Sequence, residues 1–86
     1  MRRDADFFGD RELELVYIGK RLRDALKVEN ALNDAGVDYA VETDTYRGGM
    51  IFVSERVGAF FYVSPDAAGS ARDVIVALGL KPHHEP

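Results

Sequence analysis

The sequence predicts a single α+β domain of two layers, with its elements in the order β-α-β-β-β-α. Three observations carry this expectation. Short runs of alternating apolar residues mark strands at 13–18, 37–43, 50–54 and 59–64. Two segments, 20–35 and 65–78, carry apolar residues at three- and four-residue steps, the spacing of a helix with one buried face. A chain of 86 residues fits one domain and leaves little room for a second.

Residues 1–12 are mostly charged, with Phe7-Phe8 in their midst, and read as a mobile charged arm with one apolar anchor. In the first strand, 13–18, strict alternation puts Leu13, Leu15 and Tyr17 on one face and Glu14, Val16 and Ile18 on the other. Gly19 ends it. The first helix, 20–35, presents Leu22, Ala25, Leu26, Val28, Leu32 and Ala35 as its apolar stripe. Gly36 stands where a left-handed C-terminal cap requires glycine. The second strand, 37–43, turns Val37, Tyr39 and Val41 one way, and the Asp and glycines of 44–49 break the pattern into a loop.

The third and fourth strands, 50–54 and 59–64, are separated by Glu55-Arg56-Val57-Gly58, a short hairpin loop; the competing register merges 50–64 into one bent hairpin at the sheet edge. Ser64-Pro65-Asp66 opens the last helix, with a cap candidate, a proline suited to the first turn and an acid at the positive end of the dipole. Ala67, Ala71, Val74, Ile75 and Leu78 form its buried stripe, Gly79 its cap, and Pro82 follows. Residues 13–80 make the domain and 81–86, with His83 and His84, a frayed tail. A strand, helix and strand in succession favour a right-handed crossover between parallel neighbours. The whole is then a ferredoxin-like plait, two helices on one face of a mixed sheet, with its last strand missing or replaced.

Composition narrows the function classes. Hydrophobic residues at 47% and charged residues at 30% are those of a folded globular protein. The absence of cysteine favours a reducing compartment, so a cytoplasmic location is expected, and it excludes thiolate metal sites. A formal net charge of −4 argues against nucleic acid as a partner, because phosphate neutralisation calls for a basic surface. No apolar run approaches the roughly 18 residues of a membrane span, and acids rather than an apolar segment follow Met1-Arg2-Arg3, so neither a membrane nor a signal peptide is expected. No catalytic motif, metal set or cofactor fingerprint is legible. The carboxylates are scattered, and both histidines sit in the tail.

Two places invite a ligand. Lys20 and Arg21 lie between the first strand and the first helix, where helix N–H groups favour an anion and cations oppose the dipole. Arg47, Gly48 and Gly49 lie in the loop after the second strand, with Tyr46 beside them. A third feature is apolar. Two helices cover one face of a sheet, yet Phe52, Phe60 and Tyr62 are expected on the other, where leaving them in water forgoes about 1.5–3 kcal/mol each. The chain's own arm, a second copy, or another protein or ligand could cover that face.

Leu15-Val16-Tyr17, the run Ala31-Leu32-Asn33-Asp34-Ala35-Gly36-Val37, Gly48-Gly49, and Phe61-Tyr62-Val63-Ser64-Pro65-Asp66 followed by Ala71 together resemble the small bacterial domains described as signal-transducing proteins. Those look like shortened relatives of the nitrogen-regulatory PII proteins, and the resemblance spans roughly residues 13–80. It implies a cytoplasmic bacterial domain of ferredoxin-like fold with a regulatory or interaction role and no catalytic residues. PII proteins carry a long partner-contacting loop after the second strand; the matching stretch, 44–49, is much shorter. The expectation is a non-enzymatic regulatory or interaction module, a homodimer through the sheet face. The alternatives are a sensor of an anion or nucleotide and a small ferredoxin-like enzyme.

Overall fold

The computed structural model describes residues 1–48 and 54–84. β1 (Glu14–Gly19) leads into α1 (Leu22–Asp34); β2 (Ala40–Gly48) and β3 (Ser54–Val63) follow; a 3-10 turn (Pro65–Ala67) opens α2 (Ala68–Ala77). A further 3-10 turn, Ala5–Phe8, precedes β1. The strand order is β1-β3-β2, with β3 central and antiparallel to both neighbours.

This corrects the expected order. Among the described residues there are three strands, and the sheet is antiparallel rather than mixed. β1 and β2 do run parallel to each other, but β3 is inserted between them. Residues 44–48, expected as loop, continue β2, and Glu55-Arg56-Val57-Gly58, expected as a hairpin loop, lies inside β3; the two pair from Asp44↔Gly58 to Gly48↔Ser54. Cross-strand pairing overrides the turn composition, since a lone glycine can stay extended once a neighbouring ladder satisfies its backbone. Residues 50–53 of the expected third strand lie outside the described residues.

The core forms between the helices and one face of the sheet. Val16, Tyr17, Phe61 and Val63 from the strands meet Ala25, Val28 and Leu32 of α1 and Ala68, Ala71 and Ile75 of α2, with Tyr39 at the edge. Both helices share this cluster, so they cover the same face. Leu22 and Leu26, expected in the buried stripe of α1, are exposed, Leu22 at 76%. They lie to the side of the arc through Ala25, Val28 and Leu32, which alone reaches the sheet. Ala35 and Leu78 are likewise exposed, because each stands at a helix C-terminus beyond the edge of the core.

Both helix ends behave as the glycines predict. Gly36 and Gly79 take positive φ of 71° and 78°. Val37 N–H then reaches back to Leu32 O and Leu80 N–H to Ile75 O, while the glycine N–H groups bond Asn33 O and Val76 O. These are two Schellman closures, each burying an apolar residue just past the cap. The start of α2 differs in detail. Ser64 makes no side-chain cap, Ala67 N–H bonds Ser64 O, and the 3-10 turn takes up the chain before Ala68.

β1 departs from strict alternation. Its register with β3 slips between Leu15, opposite Tyr62, and Tyr17, opposite Phe61, leaving Val16 as the extra residue of a bulge. The expected grouping of Leu15 with Tyr17 is thereby broken. Val16 and Tyr17 both enter the core, whereas Leu15 shares the far face with Tyr62 and Ile18 shares it with Phe60.

The N-terminal arm, expected to be mobile, is held to the domain. Arg2 forms a parallel bridge with Tyr39, through Arg3 N–H to Tyr39 O and Tyr39 N–H to Met1 O. The terminal ammonium donates to Val37 O, Arg3 pairs with Asp38 at 3.0 Å, and Arg2 lies 3.5 Å from Glu29. These backbone bonds satisfy groups that the charge pattern of residues 1–12 left unassigned.

Candidate functional site

The sheet face turned away from the helices carries Leu15 and Ile18 from β1, Phe60 and Tyr62 from β3, and Ala40 and Glu42 from β2; residues paired across strands share a face. Leu15, Ile18, Phe60 and Tyr62 are all half-buried, and Glu42 is exposed at the rim. Ala40 and Phe8 are each 3% exposed, yet neither belongs to the core cluster under the helices. The arm runs from the β2 side, where Arg2 meets Tyr39, to β1 at the other edge, and Leu13 lines a cleft of about 300 Å³ with Ala40, Glu42 and Tyr62. Phe8 is the buried residue of the arm, and Leu13, where the arm meets β1, stands beside Ala40 and Tyr62. Phe7 packs edge-on to Phe8 with the Arg3 guanidinium 4.5 Å from its ring centre. Of the expected contact residues, Phe60 and Tyr62 therefore lie on one half-covered face, and Phe52 lies outside the described residues.

The expected anion site does not assemble as a unit. Lys20 is exposed just after β1, and Arg21 is the N-cap residue of α1 without a side-chain cap bond. Arg47 stands opposite Glu55, and Gly48 opposite Ser54, near the far end of the β2–β3 pair; Gly49 lies outside the described residues. β1 ends at Gly19, level with Ala59 and Thr43. Arg47 is four residues farther along β2, about 13 Å at strand rise, with β3 lying between that strand and β1. The two halves of the expected site lie at separate positions in the sheet.

The C-terminal tail, expected to fray, takes the place beside Lys20 instead. Val16, the bulge residue, accepts a 2.7 Å bond from His83 N–H. Arg72 of α2 locks this joint: its Nε donates to His83 O at 3.1 Å, and its terminal nitrogens reach Glu14 Oε2 at 3.3 Å and Leu15 O at 3.5 Å. One guanidinium so holds the edge of β1, the tail and α2 together. A cleft of about 660 Å³ flanks it, lined by Glu12, Leu13, Glu14, Pro65, Arg72 and His84. On the other side of the tail lies a groove of about 450 Å³. No feature of the sequence placed 81–84 beside β1. The available signal was the unpaired edge of β1, and it could be used only once the strand order was known.

Titratable groups near the core are tuned by burial. Burial pushes the Tyr17 hydroxyl above the usual phenol range, and Asp24 adds to it. Tyr39 is raised for the same first reason, with Glu29 adding, while its hydroxyl bonds Asn33 Oδ1 at 3.2 Å. A hydrogen bond from Ser64 holds the Asp66 carboxyl below the usual carboxylate range, helped by the Asp66 backbone N–H. Among the described residues no group of three or more His, Asp or Glu is arranged to hold a metal ion. No helix among them is long and apolar enough to cross a membrane. Comparison with known protein families, with curated proteins and with solved structures finds no match to this chain.

Proposed function

We propose that this chain is a non-enzymatic regulatory or interaction module that pairs with a second copy through the sheet face opposite the helices. The observation that carries the reading is the strip of Leu15, Ile18, Phe60 and Tyr62, two directly opposed cross-strand pairs on the face opposite the one that α1 and α2 cover. The strip is half-buried in the single chain. A flat apolar strip with a charged rim is self-complementary under a two-fold axis, and closed two-fold dimers are the commonest assemblies. Desolvating several large apolar side chains on each side supplies a driving force of a few kcal/mol.

The fold reading that goes with this is a ferredoxin-like plait lacking its last strand, with the tail bonded to β1 through His83 in that strand's place. The order β1-β3-β2, with both helices on one face, supports it. It also supports kinship with the small cytoplasmic signal-transducing domains of bacteria that look like shortened PII proteins. The test is the mass in solution. Size-exclusion chromatography with light scattering is expected to give the mass of two chains at micromolar concentration, and a single-chain mass across that range would overturn the dimer.

A further inference from the structure

We propose that the outer edge of β2 is a second interaction surface, which takes an extended basic segment of a different protein as an added strand. β2 stands at the end of the order β1-β3-β2. Tyr39 shows which backbone groups face outward there: its N–H donates to Met1 O and its C=O accepts from Arg3 N–H. Residues two apart in a strand present their backbone groups to the same side, so Val41, Thr43 and Thr45 face outward as well. The pairing of β2 with β3 keeps one register from Ala40 to Gly48, so no bulge interrupts this alternation. The arm stops short of these residues, turning off after Asp4 into Ala5–Phe8. Thr45 N–H is taken by Asp44 Oδ1 at 2.7 Å. Among the described residues nothing bonds the outward N–H and C=O of Val41 and Thr43. The rest of the chain is too short to do so. Residues 49–53 leave β2 at Gly48, about 16 Å from Thr43 at strand rise, and must return to Ser54 opposite it; half of that span extends about 10 Å. Residues 85–86 follow a tail bonded outside β1, at the other edge of the sheet.

A second copy does not fit this edge. Two copies joined edge to edge about a two-fold axis form an antiparallel ladder in which directly opposed residues share a face. Centred on Glu42, the ladder sets Glu42 against its own copy. Centred on Thr43, it sets Glu42 against Asp44, and centred on Asp44 it sets Asp44 against its own copy. Each of these opposes two carboxylates directly, which destabilises a sheet. Registers farther toward either end need Tyr39, whose groups hold the arm, or the Thr45 N–H that Asp44 holds. Charged side chains on an edge strand are a common guard against self-pairing. A strand from another protein escapes the clash, and the same two exposed acids select its charge. Lysine or arginine at alternate positions stands opposite Glu42 and Asp44, while main-chain bonds to Val41 and Thr43 supply the attachment.

The test is a ¹⁵N chemical-shift titration of the full chain with a short capped peptide alternating valine and lysine. Two controls run beside it, the same peptide with every N–H methylated and a peptide with glutamate in place of lysine. Saturable shifts and slowed hydrogen exchange are expected at the Val41 and Thr43 amides. The methylated peptide, equal in charge, is expected to bind about tenfold more weakly through loss of its backbone donors, and the glutamate peptide likewise. Thr43→Pro removes one outward donor and leaves the bonds to β3 in place, since proline is tolerated where an edge N–H faces solvent; it is expected to abolish binding. Glu42→Lys leaves the backbone untouched and is expected to weaken the lysine peptide and strengthen the glutamate one. Shifts that stay linear, that centre on Phe60 and Tyr62, or that are equal for the methylated peptide or in Glu42→Lys overturn the site. The edge lies outside the apolar strip, so a single-chain mass in light scattering leaves this titration's outcome untouched.

Discussion

Gly19 shows how one residue sets the spacing between the layers. A side chain there would meet Ala25 Cβ at 3.0 Å, and Ala25 Cα and Tyr17 Cε2 at 3.4 Å. Two of these three atoms belong to the body of α1, not to the end of a flexible side chain, so the helix itself would have to move. Gly19→Ala is therefore expected to cost about 1–3 kcal/mol, the usual penalty of overpacking a filled core, and to read out as a lower urea midpoint with an unchanged slope. Gly36 and Gly79 act differently. Their requirement is local, a positive φ at a helix end, and was legible from the apolar stripes that precede them. What Gly19 requires is set by Ala25 on the next element, and no spacing in the strand reports that.

At the scale of elements, local capping and periodicity were readable, while strand pairing was not. α1 and α2 stand where their stripes put them, within two or three residues. The β2–β3 pair was misread because Glu55-Arg56-Val57-Gly58 and 44–48 carry turn-type residues whose extended state is stabilised only by each other. The bulge at Val16 was hidden for a related reason: Leu-Glu-Leu-Val-Tyr-Ile alternates well enough in either register, and the slip is decided by Phe61 claiming Tyr17 as its core neighbour, their rings 5.9 Å apart. The same bulge gives the tail its anchor, and Arg72 makes the anchor hold. Arg72→Met keeps the stem and removes the contacts to Glu14, Leu15 O and His83 O. The expected result is a loss of about 1–3 kcal/mol from the partly buried, charge-assisted bonds, with the His83 amide losing its hydrogen-exchange protection before the amides of α1. Unchanged protection at His83 would show that the tail is held without the guanidinium.

For the whole molecule, the decisive contrast lies between two neighbours on the central strand. Phe61 is fully buried among Tyr17, Tyr39 and both helices, whereas Phe60, one residue earlier, points to the face without helices, opposite Ile18 and Glu42. Strand alternation makes these adjacent aromatics report on two different layers. Phe61→Ala removes a ring from a closed core and is expected to cost about 3–5 kcal/mol, a large share of what holds a domain of this size together. Phe60→Ala removes a ring that the single chain covers only in part, so the stability of an isolated chain is expected to fall by less, about 1–2 kcal/mol. Its main effect is expected in assembly: the mass by light scattering drops to one chain, and the unfolding midpoint loses its dependence on protein concentration, which a dimer must show. The two variants separate the layers cleanly. If Phe60→Ala were as damaging as Phe61→Ala in a protein already monomeric, the far face would be a second core closed by the arm around Phe8, and no second copy would be needed to cover it.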